Sequence, residues 1–297
     1  MSADVPFTSA SQQASPSHSS ASSASFSATS SASSLSGPRL GLVQGLRLVA
    51  HQVRYEQLSF WVNRIGAIFT LGFSVVFLVM LGSAAGDSRV QFLGNVKLVQ
   101  YYVPGFVSYG VMAASFTTLA IVLVVRRETG LLKRLRLSPL PVWALVTAIF
   151  VSTTIVAAIQ VVLLLLIGRF GYGVHFPQAP GALAVALVVG IVSFSTLGVA
   201  VSTLVPNQEA AGPVISTVFF VFLFLAGLWF PLKSSSGLAR FSSYFPLLHF
   251  LHAVSATFGL QPRTSAWAWH DLLVVGLWGV GGFVVALRRF EWSPRRT

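Results

Sequence analysis

The sequence predicts an all-α polytopic membrane protein with six transmembrane helices, an N-terminal interfacial amphipathic helix and a short external re-entrant or interfacial segment. Three observations carry that prediction. Of the 297 residues, 54% are hydrophobic and only 9% charged, whereas about a quarter of a soluble globular chain is charged. The charges fall in clusters: none lies between Leu137 and Gly168, between Phe170 and Gln208, or between Ala210 and Leu232. A helix needs about 20 apolar residues to cross the hydrocarbon, and these runs supply them. Finally, the chain has no cysteine, which together with the composition excludes a disulfide scaffold, a metal-thiolate protein and a packed soluble enzyme.

Residues 1–38 form a Ser/Ala-rich cytosolic tail, with sixteen serines, seven alanines and only Asp4 charged from Met1 to Ser36. Such a segment cannot bury enough apolar surface to offset the entropy of ordering it. It also lacks the basic start and the apolar run of a secretory signal. From Leu40 to Leu58 the pattern changes. Leu42, Val43, Leu46, Val49, Ala50 and Val53 recur at helical spacing, with Gln44, Arg47, His51 and Arg54 opposite. An apolar stripe backed by a basic face suits a helix in the cytosolic headgroup layer.

Six uncharged cores follow in a transmembrane domain of residues 39–290: Ile65–Leu81, Val103–Val125, Val142–Ile167, Ala182–Val205, Pro213–Phe230 and Leu272–Leu287. Trp267 and Trp269 precede the last one as interfacial aromatic anchors. Tyr244–Gly259 is too short for a full crossing and contains His249 and His252, so it reads as the re-entrant or interfacial segment. Residues 291–297 form a basic C-terminal tail. An even number of spans puts both termini on one side. With the N-terminus cytosolic, thirteen of the nineteen basic residues lie inside and six outside, the orientation favoured by positive charge near span ends. The expected location is a cell membrane, crossed several times with both termini cytosolic. The net charge of +12 is topological, with no recognition module for nucleic acid among the charges.

The segment Arg126–Pro141 joins the second and third spans and holds five basic residues, each costing about 2.5–3.5 kcal/mol at the bilayer centre, so it lies outside the hydrocarbon. Drawn as a helix, it places Leu131, Leu132 and Leu135 on one face with Glu128 beside them. Arg126, Arg127, Lys133, Arg134 and Arg136 cover the rest, and Pro139 and Pro141 end the helix. A short amphipathic helix of this kind either rests on anionic lipid or fits a groove in a cytosolic partner. The run Glu128, Gly130, Leu135, Arg136 and Pro139 resembles the cytoplasmic loop of type 2 ABC-transporter permeases. Gly227-Leu228-Trp229-Phe230-Pro231-Leu232, followed by Tyr244-Phe245-Pro246-Leu247, is similar to the family's glycine–aromatic–proline ending and its later proline-containing segment. The resemblance covers about Leu40 to Arg289. Ser234-Ser235-Ser236, where many members carry a proline-containing turn, and the long serine-rich tail depart from the pattern.

The resemblance implies a drug- or lipid-exporter-like permease half that pairs with a second permease copy, as homodimer or heterodimer, and with a separate cytosolic ATPase. It implies a coupling helix in which Arg127, Glu128, Gly130, Leu131, Leu132, Arg134, Leu135, Arg136 and Pro139 meet that ATPase, the leucine face in its cleft and the basic residues on its acidic rims. Glu209, in the short loop Val205–Gly212, is a candidate second contact or a solvated turn residue. The chain contains no Gly-x-x-x-x-Gly-Lys-Ser/Thr phosphate loop, so it is expected to carry no cofactor and no catalytic site of its own, with ATP and magnesium in the partner.

Several residues carry structural readings beside functional ones. Ala144/Ala148/Ser152 and Ala182/Ala186/Gly190 repeat at every fourth position and permit close helix approach, within the chain or between subunits. Gln160 is polar inside the third span and faces protein or a pathway. His249, His252, His270 and Asp271 share the external side. Their spacing is common and no cysteine assists, so they read as interfacial residues and no metal site is expected. Spans with so few charges favour a hydrophobic or amphipathic cargo. Polysaccharide export is the rival within the family. A secondary transporter is disfavoured because no acid lies inside a span, and a membrane enzyme because no nucleophile–base pair stands out.

Overall fold

The computed structural model describes residues 42–90, 95–130, 142–228, 237–261 and 265–289. Both predicted tails lie outside them. Nine helices are present among the described residues: α1 (Leu42–Val62), α2 (Arg64–Ala85), α3 (Leu98–Glu128), α4 (Val142–Tyr172), α5 (Pro180–Ser202), α6 (Gln208–Leu225), α7 (Gly237–Ser242), α8 (Pro246–Thr257) and α9 (Trp269–Arg289). A two-stranded antiparallel pair, β1 (Arg89–Val90) and β2 (Val96–Lys97), links α2 to α3, with Arg89 opposite Lys97. Six helices, α2 to α6 and α9, are long and apolar enough to cross a membrane. Each overlaps one of the cores read from the sequence, although α5 ends at Ser202, short of Val205, and α6 at Leu225, short of Phe230, and the protein is an all-α polytopic membrane protein.

Successive spans alternate in direction. α1, the α3–α4 and α5–α6 junctions and the end of α9 therefore gather at one end of the bundle, here called the basic end. The β pair, α7, α8 and the start of α9 gather at the other.

α3 is the central helix. Its apolar window is 72% buried, against 22% for α2 and 33% for α6. Phe106, Val107, Val111, Met112 and Phe116 of α3 are fully enclosed, while α2 exposes Ile65, Ile68 and Phe69 and α6 exposes Phe220 and Phe224. Apolar surface left outside is what a lipid solvent permits. Midway along α3, Ala113–Thr117 forms a π-helical turn. A β carbon at Gly198 of α5 would lie 2.6 Å from the Phe116 carbonyl oxygen, so only glycine lets α5 pass this widened turn.

The small-residue repeats resolve as packing within the chain. Ala144 and Ala148 are fully buried, and Ser152 accepts a hydrogen bond from Gln57 of α1 at 2.9 Å. Ala182 and Ala186 are buried on α5, and a β carbon at Gly190 would strike the Phe250 ring of α8 at 2.3 Å. Gln160 also has a structural role: its amide nitrogen donates to Ser74 Oγ at 2.5 Å and to the Thr70 carbonyl at 3.2 Å, tying α4 to α2.

α1 exists as expected but presents a different stripe. Gly45, Glu56 and, in part, Leu48, Val49, Gln52, Val53 and Phe60 turn inward, while Leu46 is 67% exposed and Ala50 is exposed. The inward stripe packs along α4, so helix–helix contact rather than the headgroup layer alone selects it. Arg47, His51 and Arg54 are exposed, as the basic face requires. α8, the short segment with His249, is a 12-residue helix almost wholly buried against its neighbours, not a lipid-surface element.

Candidate coupling site and adjoining cleft

The sequence-predicted coupling segment begins where α3 ends. Val125, Arg126 and Arg127 carry the last turn, and Gly130 adopts φ +69° with its N–H bonded to the Arg127 carbonyl at 3.1 Å. A glycine in the left-handed region just past a helix is the usual C-terminal stop, since a β carbon is disfavoured there. Thr129 Oγ1 donates to the Val125 carbonyl at 2.9 Å and occupies one of the last free acceptors.

Arg127 is 4% exposed, and its guanidinium points into the protein. It donates to the carbonyls of Ser202 at 3.2 Å, Val205 at 2.7 Å and Pro206 at 3.5 Å, and Nε meets Glu128 Oε1 at 3.0 Å. The first two of these carbonyls lie at and just beyond the C-terminus of α5, where a cation complements the helix dipole. Arg127 therefore holds the α5–α6 junction onto the end of α3, and its donors are engaged within the chain. Glu128 is half-buried beside it. Glu209 is exposed in the first turn of α6, behind the N-cap Asn207, whose side chain accepts from the Ala210 N–H at 2.9 Å. A carboxylate there suits the helix N-terminus. Leu131, Leu132, Arg134, Leu135, Arg136 and Pro139 lie outside the described residues, as do Trp229–Ser236.

Arg126, one residue earlier, points elsewhere. It pairs with Glu56 of α1 at 2.5 Å, and Glu56 also accepts from Gln52 at 3.0 Å. Both partners are largely enclosed, with side-chain exposures of 13% and 8%. Sequence reasoning passed over Glu56. The available signal was its rarity: it is the only acid between Asp4 and Asp87, at a position one turn from Gln52 on the inward stripe.

The Glu56–Arg126 pair lines a cleft of about 540 Å³ between α1, α2, α3, α4 and α6. Phe69, Phe73, Tyr109 and Phe219 supply apolar walls, and Asn63, Thr70, Thr117 and Ser216 supply polar points. Tyr109 and Phe219 meet edge to face with centroids 5.4 Å apart. Thr117 belongs to the π turn, and its hydroxyl has no hydrogen-bond partner among the described residues. π turns concentrate at functional sites because they break the regular ladder.

A second polar cluster lies at the opposite end. His249 Nδ1 donates to Asp271 Oδ1 at 2.6 Å, and Nε2 donates to the Ser243 carbonyl at 2.8 Å. The hydrogen bond to Asp271 holds the imidazole pKa above its ordinary value, whereas burial lowers that of His252. The sequence placed these residues on one side of the membrane, but the contact between His249 of α8 and Asp271 of α9 was not read from it.

No curated protein matches the chain. The family model described as ABC-2 family transporter protein matches residues 86–288, from just after α2 to the last turn of α9, with α1 and α2 outside the match. The chain belongs to that family, as a membrane subunit of a transporter.

Proposed function

We propose that this subunit is half of an ATP-driven exporter. Two copies, or one copy and a sister permease, enclose a pathway for a hydrophobic or amphipathic compound of drug or lipid type. A separate cytosolic ATPase, holding ATP and magnesium, drives it through the Arg126–Pro141 segment. The basic end is cytosolic and the opposite end external, which supports both termini inside the cell.

The observation that carries this reading is the direct junction of coupling segment and cleft. Arg126 forms part of the cleft wall and is tied to α1. Arg127 is buried in the α5–α6 junction, and Glu128 and Gly130 lead into the segment. Arg126 and Arg127 thus connect the described start of that segment to the cleft and to the second cytosolic loop. A volume of about 540 Å³ falls in the range of about 300–1,000 Å³ that holds a drug-sized ligand. Aromatic walls with isolated hydroxyls favour an amphipathic cargo over a strongly charged one. The exposed apolar faces of α2 and α6 flank the cleft, so a second copy seated across them would close it laterally.

The test is reconstitution in liposomes with a candidate cytosolic ATPase subunit that co-purifies with it. Export of a lipophilic fluorescent compound is expected to require both ATP and the partner. Transport driven by a proton gradient without the ATPase would refute the reading.

A further inference from the structure

We propose that His249, His252, His270 and Asp271 form a binding site for a divalent transition-metal ion of zinc type, which would pin α8 to the start of α9. The potential ligand atoms of His249, His270 and Asp271 all lie within 4.8 Å of one another. His252 Nδ1 stands 3.9 Å from the same Asp271 oxygen that His249 engages. The His249 ring lies 5.8 Å from that of His270 and 6.4 Å from that of His252, centroid to centroid. Three imidazoles thus surround one carboxylate. A latch between two helices needs only the His249–Asp271 hydrogen bond, which leaves the convergence of two further imidazoles unexplained.

The geometry is close to what a metal requires. Zinc holds nitrogen and oxygen ligands at about 2.0–2.1 Å in a tetrahedron, which places ligand atoms about 3.3 Å apart. The 2.6 Å separation of His249 Nδ1 and Asp271 Oδ1 must therefore widen by about 0.7 Å to meet that spacing, as the ion replaces the proton now shared between them. His270 is exposed, so its ring is free to swing inward. His249 is already oriented: its Nε2–H is held by the Ser243 carbonyl, which leaves Nδ1 as the metal-facing nitrogen. A backbone carbonyl behind a ligating imidazole is the usual outer support of such sites. Exposure of His270, with His252 partly exposed beside it, provides an entry path. An imidazole-rich donor set with one carboxylate selects zinc, cobalt, nickel or copper over magnesium or calcium.

The experiment uses the full chain, purified in detergent without a polyhistidine tag and stripped of metal. Equilibration with Zn²⁺ is expected to leave one ion per chain after desalting, and Co²⁺ is expected to give the intense visible absorption of a tetrahedral centre. His270→Ala removes an exposed ligand without disturbing the core, and Asp271→Asn removes the shared carboxylate. Each is expected to weaken Zn²⁺ binding at least about tenfold and to abolish the Co²⁺ band. His51→Ala, on the exposed face of α1, is expected to leave both unchanged. Failure of the wild-type chain to retain zinc would overturn the proposal, as would wild-type binding by both the His270→Ala and Asp271→Asn proteins.

Discussion

Replacing Arg127 by alanine tests the packing of the basic end most directly. In the wild type the guanidinium satisfies the carbonyls of Ser202 and Val205 and pairs with Glu128 while almost fully enclosed. Truncation leaves these acceptors short of a donor and Glu128 without its nearest cation. Hydrogen bonds to a charged group contribute about 1.5–3 kcal/mol each, and breaking a buried pair costs about 3–5 kcal/mol. Water reaching the junction offsets part of that, so a net loss of about 3 kcal/mol is the working figure. At about 2–4 °C per kcal/mol for a chain of this size, the midpoint of thermal unfolding in detergent is expected to fall by about 6–12 °C. Arg127→Lys keeps the charge but reaches fewer carbonyls, and should fall between the two. An Arg127→Ala midpoint within about 1 °C of the wild type would show that the contacts contribute nothing and that the end of α3 is not held by them.

The coupling reading predicts that Glu128→Ala, and Gly130→Pro, uncouple ATP hydrolysis from transport and reduce ATP-dependent transport several-fold while leaving membrane insertion intact. Unchanged transport in both would sink it. Glu56→Gln removes the charge facing Arg126 at the edge of the cleft and is expected to raise the partner's ATPase rate in the absence of cargo, measured by phosphate release; no change would separate the ion pair from gating. At Gly198, an alanine β carbon would meet the backbone of Phe116 at 2.6 Å, and backbone cannot rotate away. A destabilisation of about 1–3 kcal/mol follows, read as a lower unfolding midpoint, and a fully stable Gly198→Ala protein would contradict this packing.

The spans were legible because each uncharged run had the length that the hydrocarbon demands, and the structure places a helix on every one. Gly130 was not read as a stop: Arg126–Pro141 was drawn as one helix ended by Pro139 and Pro141, whereas α3 ends at Glu128 and Gly130 turns into the left-handed region at φ +69°. What sequence patterning failed to show was direction. Arg126 and Arg127 belong to one run of basic residues, and amphipathic drawing put both on the outward face, toward anionic lipid or a cytosolic partner. Tertiary contacts instead turn one toward Glu56 and bury the other among carbonyls seventy-five and more positions later. The α1 stripe was legible only in part: Val49 and Val53 turn inward as drawn, Leu46 and Ala50 do not, and periodicity cannot tell which side meets α4. His249 and Asp271 are 22 residues apart, across a loop whose path no spacing rule specifies.

The divergence of Arg126 and Arg127 follows from where α3 runs. Neighbouring residues on an α-helix point about 100° apart. On a peripheral helix one of two adjacent arginines would reach water, but α3 is enclosed on most of its circumference. At its end, α1 and α4 close one side and the α5–α6 junction the other, so each guanidinium meets a different structure. The π turn at Ala113–Thr117 sits above this point and adds a residue to the turn, which changes the register between the aromatic half of α3 and its basic half. The upper half can then place Tyr109 against Phe219 on the cleft wall while the lower half aims Arg127 at the carbonyls of α5. Straightening that turn into regular α-helix would rotate one half relative to the other and break one set of contacts. Cleft shape and the hold on the α5–α6 junction therefore depend on a single helix, α3, and on the register that its π turn sets.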